Sequence, residues 1–240
     1  MELRTEWLGR IAYADAWARQ HDLVAARAAD AIGDTLLLLE HMPVLTLGRN
    51  ADPGHVIAPP EMLAARGIAL HRVERGGEVT YHGPGQLVAY PIVKLADQGL
   101  LLRPFVRALE LAMADVAATY GIAAGRRDGY PGCWVGADGP LPRKLGALGL
   151  RVERGVSYHG IALNVTTDLA DFALIDPCGM AGLSVTSVAR ELGWTGEAAR
   201  PSTASVETAA DRYAAAVLPR LADAVAVSRD AGVPAATRAG

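Results

Sequence analysis

Twelve consecutive residues, Arg75-Gly76-Gly77-Glu78-Val79-Thr80-Tyr81-His82-Gly83-Pro84-Gly85-Gln86, constrain this chain more than any other stretch. They pack four glycines, a proline, a histidine and an arginine between two apolar runs, Ile68 to Val73 and Leu87 to Val93, that predict strands. Glycine lets backbone approach a ligand closely or adopt positive φ, and the Gly-Pro-Gly step forces a turn. A rigid polar loop slung between two strands follows. The glycines fit neither phosphate-binding pattern, since no Gly-x-Gly-x-x-Gly opens a helix and no Gly-Lys-Ser/Thr occurs. An architectural turn would need neither the histidine nor the arginine, so the loop is expected to bind or react.

Length bounds the fold around this loop. A chain of 240 residues, 51% hydrophobic, builds one sizeable core, which predicts a single domain over residues 1–227 and a frayed tail over 228–240. A net charge of −3 offers no basic field for nucleic acid. No apolar run reaches the roughly 18 residues of a membrane span. The N-terminal Met1 to Glu6 lacks the basic start and apolar stretch of a secretory signal. A cytoplasmic protein without membrane or nucleic-acid partners is expected.

Periodicity predicts helices over Ile11 to Ala29, Pro60 to Arg66, Leu101 to Tyr120, Ser187 to Leu192 and Ser205 to Val227. Strands are expected over Glu2 to Trp7, Thr35 to Glu40 and Tyr130 to Val135, with another inside His41 to Arg49, a segment that begins with a turn, continues as a strand and ends on a glycine. Three more follow over Leu145 to Val152, Val156 to His159 and Ile161 to Val165, the first two joined by a turn at Glu153-Arg154-Gly155. The strands cluster without strict βαβ alternation, and nothing repeats at a period of about 20 to 50 residues. The expected class is α+β, a mixed sheet flanked by helices.

Two residues carry candidate chemistry. Cys133 and Cys178 form no Cys-x-x-Cys pair, which argues against zinc or redox work. Cys178 lies in Asp176-Pro177-Cys178-Gly179-Met180, a predicted turn with little core to fill, where a cysteine serves better as a nucleophile than as packing. Of 23 basic residues only Lys94 and Lys144 are lysines. Arginine cannot give up its proton and lysine can, so a lysine retained here is a candidate for a titrating role. A thiol with pKa near roughly 8.5 is mostly protonated at neutral pH, and a neighbouring amine stabilises its thiolate or accepts its proton. His82-Gly83 and His159-Gly160 are both His-Gly steps at predicted strand ends, which suggests that His82 and His159 face one site, as orienting groups or as packed residues. No ligand spacing supports a metal site, and none is expected.

Three separated segments in order, RGGEVTYHGPGQ at 75–86, Arg143-Lys144 and Pro177-Cys178-Gly179, resemble the lipoyl(octanoyl) transferases. The segment Glu40 to Arg49, EHMPVLTLGR, resembles that family too, and the resemblance extends from about Tyr13 to Leu192. It implies the biotin/lipoate protein ligase-like fold and the transfer of an octanoyl group from octanoyl-acyl carrier protein to a lysine. The acceptors implied are lipoyl domains of 2-oxoacid dehydrogenase E2 subunits and the glycine cleavage H protein. Cys178 matches the family's acyl-thioester cysteine and Lys144 its pKa-lowering lysine. The family's acyl-contacting segments map onto Arg75, Gly76, Gly77, Glu78, Val79, Thr80, Tyr81 and His82, onto Ala147, Leu148 and Gly149, and onto Gly160, Ile161 and Ala162. Small residues there leave a slot, and burying seven methylene-sized groups stabilises by at most about 5 to 6 kcal/mol. No cofactor is implied. Cys133 departs from the family pattern and reads as a buried strand residue. Two other readings are an ATP-dependent lipoate or biotin protein ligase and a non-catalytic acyl-binding module.

Overall fold

The computed structural model describes residues 1–176, 184–194 and 204–231. In chain order the strands are β1 (Arg4–Ile11), β2 (Thr35–His41), β3 (Val44–Leu47), β4 (Ala69–Arg72), β5 (Val79–His82), β6 (Gln86–Ile92), β7 (Ala124–Arg127), β8 (Tyr130–Val135), β9 (Arg143–Glu153), β10 (Val156–Asn164) and β11 (Ser184–Val185). The helices are α1 (Tyr13–Ala28), α2 (Pro60–Ala65), α3 (Leu102–Ala118), α4 (Val188–Glu191) and α5 (Val206–Asp230).

Two sheets result. The larger runs β1-β2-β6-β10-β9-β8-β7, with β11 also pairing with β9, and it is mixed because β1–β2 and β9–β11 are parallel. The smaller is β4-β3-β5. The architecture is α+β, as the sequence predicts, and its layers explain the continuous apolar run of β2. Leu36 and Leu38 face the core formed with α3 and α5, whereas Leu37 and Leu39 face α1. A strand covered on both faces does not alternate. On α3, Phe105, Leu109, Ala112, Met113 and Val116 are all fully buried, each large side chain contributing about 1.5–3 kcal/mol.

A polar network ties α1 to the far end of β2. Buried Arg27 reaches Asp34 at 2.7 Å, Asp30 at 2.6 Å and Asp97 at 2.8 Å. Lys94 Nζ lies 2.7 Å from both carboxylate oxygens of Asp30, so this lysine has a structural assignment.

The structure departs from the sequence reading in four places. The glycine-rich stretch is not one loop, since Val79–His82 forms β5 and pairs antiparallel with β3. The flanking strands β4 and β6 therefore belong to different sheets. The two strands expected to meet at His159-Gly160 are one, β10, which passes through a left-handed residue at His159 (φ 54°). β7 had no periodic signal in its Ala-Gly-Arg-Arg sequence. Finally α5 continues to Asp230, and Ser228, expected in the tail, is buried: its hydroxyl accepts the Leu101 N–H at 3.1 Å, an otherwise orphan donor at the start of α3.

Candidate active site

The two sheets enclose a cleft. Its floor is β9 and β10, paired Ala147 with Ala162, Leu148 with Ile161 and Gly149 with Gly160, and Gly146 and Asn164 extend it toward Lys144. Small residues are required there by geometry. A Cβ on Gly160 would collide with the Ala89 carbonyl oxygen, and one on Gly149 would stand 2.7 Å from the Gly76 carbonyl oxygen and 3.3 Å from Arg75 Cδ. The opposite wall is the Arg75 to Thr80 segment with His82, and Tyr13, Tyr90 and Phe172 complete the lining.

That wall is held by its own hydrogen bonds. The Gly76 N–H donates to the Leu150 carbonyl at 3.0 Å, stitching the loop to β9. Buried Arg75 donates from Nη2 to the Thr46 carbonyl at 2.6 Å and from Nε to Thr46 Oγ1 at 3.2 Å, which fixes it against β3. Tyr81 alternates away from the cleft, its ring 5.5 Å from that of Phe172 in the core of the small sheet.

His82 belongs to a buried polar chain. The Gln86 amide nitrogen donates to the Tyr81 carbonyl at 3.2 Å and to Asn164 Oδ1 at 2.9 Å, so its oxygen accepts, at 2.7 Å, from His82 Nδ1. His82 Nε2 therefore carries the lone pair. Asn164 Nδ2 continues the chain to the Thr186 carbonyl at 3.0 Å. Burial, with the Arg75 charge adding to it, lowers the His82 pKa to about 4. His159 lies in the same cleft, and burial followed by Arg75, His21 and His82 lowers its pKa to about 3. Both imidazoles are neutral at physiological pH.

At the other end of the floor stands Lys144. Its Nζ lies 5.2 Å from the centroid of the buried Trp134 ring, a cation–π arrangement that seats the amine on β8. Lys144 is in register with Val185 of β11, and the Thr186 N–H donates to the Lys144 carbonyl at 2.9 Å. Cys178 lies outside the described residues. Phe172 upstream of it and Val185 downstream both line the cleft. The other cysteine, Cys133 on β8, is fully buried, and burial together with the Glu110 carboxylate pushes its thiol up to about 12. It is inert as a nucleophile at neutral pH.

Sequence reasoning missed Tyr13, Tyr90, Asn164, Gly146 and Val185 as lining residues. Only topology brings them in, because single aromatic, amide and aliphatic residues inside predicted elements carry no local signal. Gln86 stood in the recognisable segment 75–86 but had no assigned contact, and Phe172 joins the lining as well.

Among the described residues no group of three or more His, Cys, Asp or Glu side chains is placed to hold a metal ion, and no helix is long and apolar enough to cross a membrane. Residues 12–216 match the model of the lipoyl protein ligase A/B catalytic domain. A protein of Chloroflexus aurantiacus named Octanoyltransferase is 52% identical over 192 residues, covering 80% of this chain and 85% of that one. Another of that name from Acidobacterium capsulatum is 48% identical over 200 residues, 80% of this chain and 81% of the other. The fold resembles that of a bipartite lipoate protein ligase from Thermoplasma acidophilum, with TM-score 0.63 at 15% identity, covering 96% of this chain and 92% of that one. The match to the family model and the half-identical relatives both span most of the sequence; the chain belongs to the lipoyl protein ligase A/B catalytic-domain family and, within it, to the lipoyl(octanoyl) transferases.

Proposed function

We propose that this protein is an acyltransferase that moves an octanoyl group from octanoyl-acyl carrier protein to a lysine of a lipoyl domain, through an octanoyl-thioester on Cys178. The observation that carries the reading is the placement of Lys144 at the head of a narrow cleft floored by glycine and alanine, with residues on both sides of the Cys178 segment lining that cleft. The names of the half-identical relatives supply the acyl group. Lipoyl domains of 2-oxoacid dehydrogenase E2 subunits and the glycine cleavage H protein are the acceptors that the family resemblance suggests.

In the first step the Cys178 thiolate, its proton held by Lys144, adds to the donor thioester carbonyl. The bond from carbon to the phosphopantetheine sulfur breaks, and that sulfur leaves as a thiol with the proton from Lys144. In the second step the acceptor amine adds to the octanoyl-Cys178 carbonyl, the carbon–sulfur bond to Cys178 breaks, and neutral Lys144 takes the amine proton. Thioester to amide is downhill, so no nucleotide enters.

Intact-mass spectrometry after incubation with octanoyl-acyl carrier protein tests this directly. One octanoyl adduct is expected on the wild type and on Cys133→Ser, and none on Cys178→Ser. An adduct surviving Cys178→Ser would refute the thioester route, and transfer that requires ATP and free octanoate would make the protein a ligase instead.

A further inference from the structure

The glycine- and alanine-lined floor of the cleft has a definite length, and a histidine of the lining, His159, stands at its end away from Lys144. From Gly146 to Gly149 the floor runs three residue steps, about 10 Å at roughly 3.3 Å each. An extended octanoyl chain is about 9 Å long, at roughly 1.3 Å per carbon–carbon bond along its axis. Immediately beyond Gly149 the Gly76 N–H bridges to the Leu150 carbonyl. Directly across from Leu150 in the β-ladder is His159.

His159 is an unusual residue to find at that end. It is 1% exposed, and neither ring nitrogen has a hydrogen-bond partner. The Glu74 carboxylate Oε2 stands 3.6 Å from Nε2, beyond hydrogen-bond distance. Its left-handed backbone interrupts strand alternation, which places two consecutive rings, Tyr158 and His159, stacked at 4.7 Å. Its N–H donates to the side-chain oxygen of fully buried Gln20 at 2.7 Å, and its ring meets that of Tyr90 edge-on at 6.3 Å. The imidazole thus packs between the Tyr158 and Tyr90 rings, and Gln20 pins the backbone that carries it. A backbone strained for a non-glycine residue, supporting an unpartnered buried ring, marks a constraint other than stability.

Resting on the octanoyl-transfer reading above, we propose that His159 is the end stop of the acyl slot and limits the chain to about eight carbons. A longer chain would press methylenes against ring nitrogens and displace a ring that packing holds in place. Shorter chains would leave the slot part-filled.

The test is binding of free fatty acids of six, eight, ten and twelve carbons to the full-length protein by titration calorimetry. In an open apolar slot each added methylene strengthens binding by roughly fourfold, so about fifteenfold for each pair. The wild type is expected to gain from hexanoate to octanoate and then to plateau. His159→Gly removes the ring and relaxes the left-handed backbone, and decanoate is then expected to bind at least fivefold more tightly than octanoate. His159→Asn tolerates the same backbone with a smaller side chain and should let decanoate gain at least threefold; it decides the matter if the glycine variant does not fold. A wild type whose affinity keeps climbing through decanoate and dodecanoate, or folded variants that keep the plateau at octanoate, would overturn the proposal. Because binding needs no transfer, a wild type with the plateau but no octanoyl transfer would sink the activity and leave the stop standing.

Discussion

Lys144 and Arg143 adjoin on β9, and their partners separate their roles. Arg143 makes a paired contact to Glu191, Nε to Oε1 at 2.8 Å and Nη2 to Oε2 at 2.9 Å, the fork geometry that only arginine supplies. Lys144 instead reaches over Trp134 into the cleft. Lys144→Arg keeps the charge and forfeits the titrating amine, so release of the octanoyl group to an acceptor amine is expected to slow by two orders of magnitude or more. Single-turnover kinetics from pre-acylated enzyme measures this, and near-normal release would remove Lys144 as the base. Cys133 tells the converse story: a thiol pushed up to about 12 by burial beside Glu110 is packing, as its strand position suggested.

The elements around the cleft meet through a few buried polar contacts, and these give the clearest mutational expectations. Asn164 of β10 bridges Gln86 of β6 to Thr186, the residue after β11. Asn164→Ala leaves the Thr186 carbonyl and the Gln86 amide without that partner, an expected loss of about 1–3 kcal/mol in urea unfolding. The same change frees β11 from β10 beside Lys144, so transfer should fall further than stability accounts for, at a temperature where the variant remains folded. Wild-type turnover in the folded variant would show that this tie does not support the site. How much of this was legible beforehand follows from the kind of signal each element carries. α3 was readable because its apolar face repeats at helical spacing, and β2 because both its faces are covered. β5 was hidden inside a glycine-rich segment whose turn chemistry outweighs four strand residues. The break expected at His159-Gly160 treated glycine as an end, whereas here it lets two strands of one sheet approach closely. The three segments carrying the family resemblance were legible locally, but only the register of β9 on β10 shows that Lys144 and the glycine- and alanine-lined cleft share one floor. Asn164, Tyr13 and Tyr90 act through long-range contacts that no local pattern encodes.

For the molecule as a whole, buried neutral histidines couple stability to pH. His41 and His159 are lowered to about 3 and His82 to about 4, each chiefly by burial. Folded values below the unfolded value of about 6.5 mean that the unfolded chain binds more protons in acid. Their contribution is complete above about pH 6.5 and is lost as pH falls toward 4 and then 3, at up to about 1.4 kcal/mol per pH unit for each histidine. Urea midpoints should therefore drop between pH 7 and pH 5, and His82→Asn should shallow that slope; an unchanged slope would remove His82 from the account. A second property of the whole chain concerns its amines. Lys94, the sole lysine besides Lys144, is clasped by both oxygens of Asp30 and does not line the cleft. The acyl-enzyme proposed above, with an activated acyl group on sulfur, would run the hazard of acylating itself, and a chain built on guanidinium in place of ammonium groups leaves that reaction almost no side chain to attack.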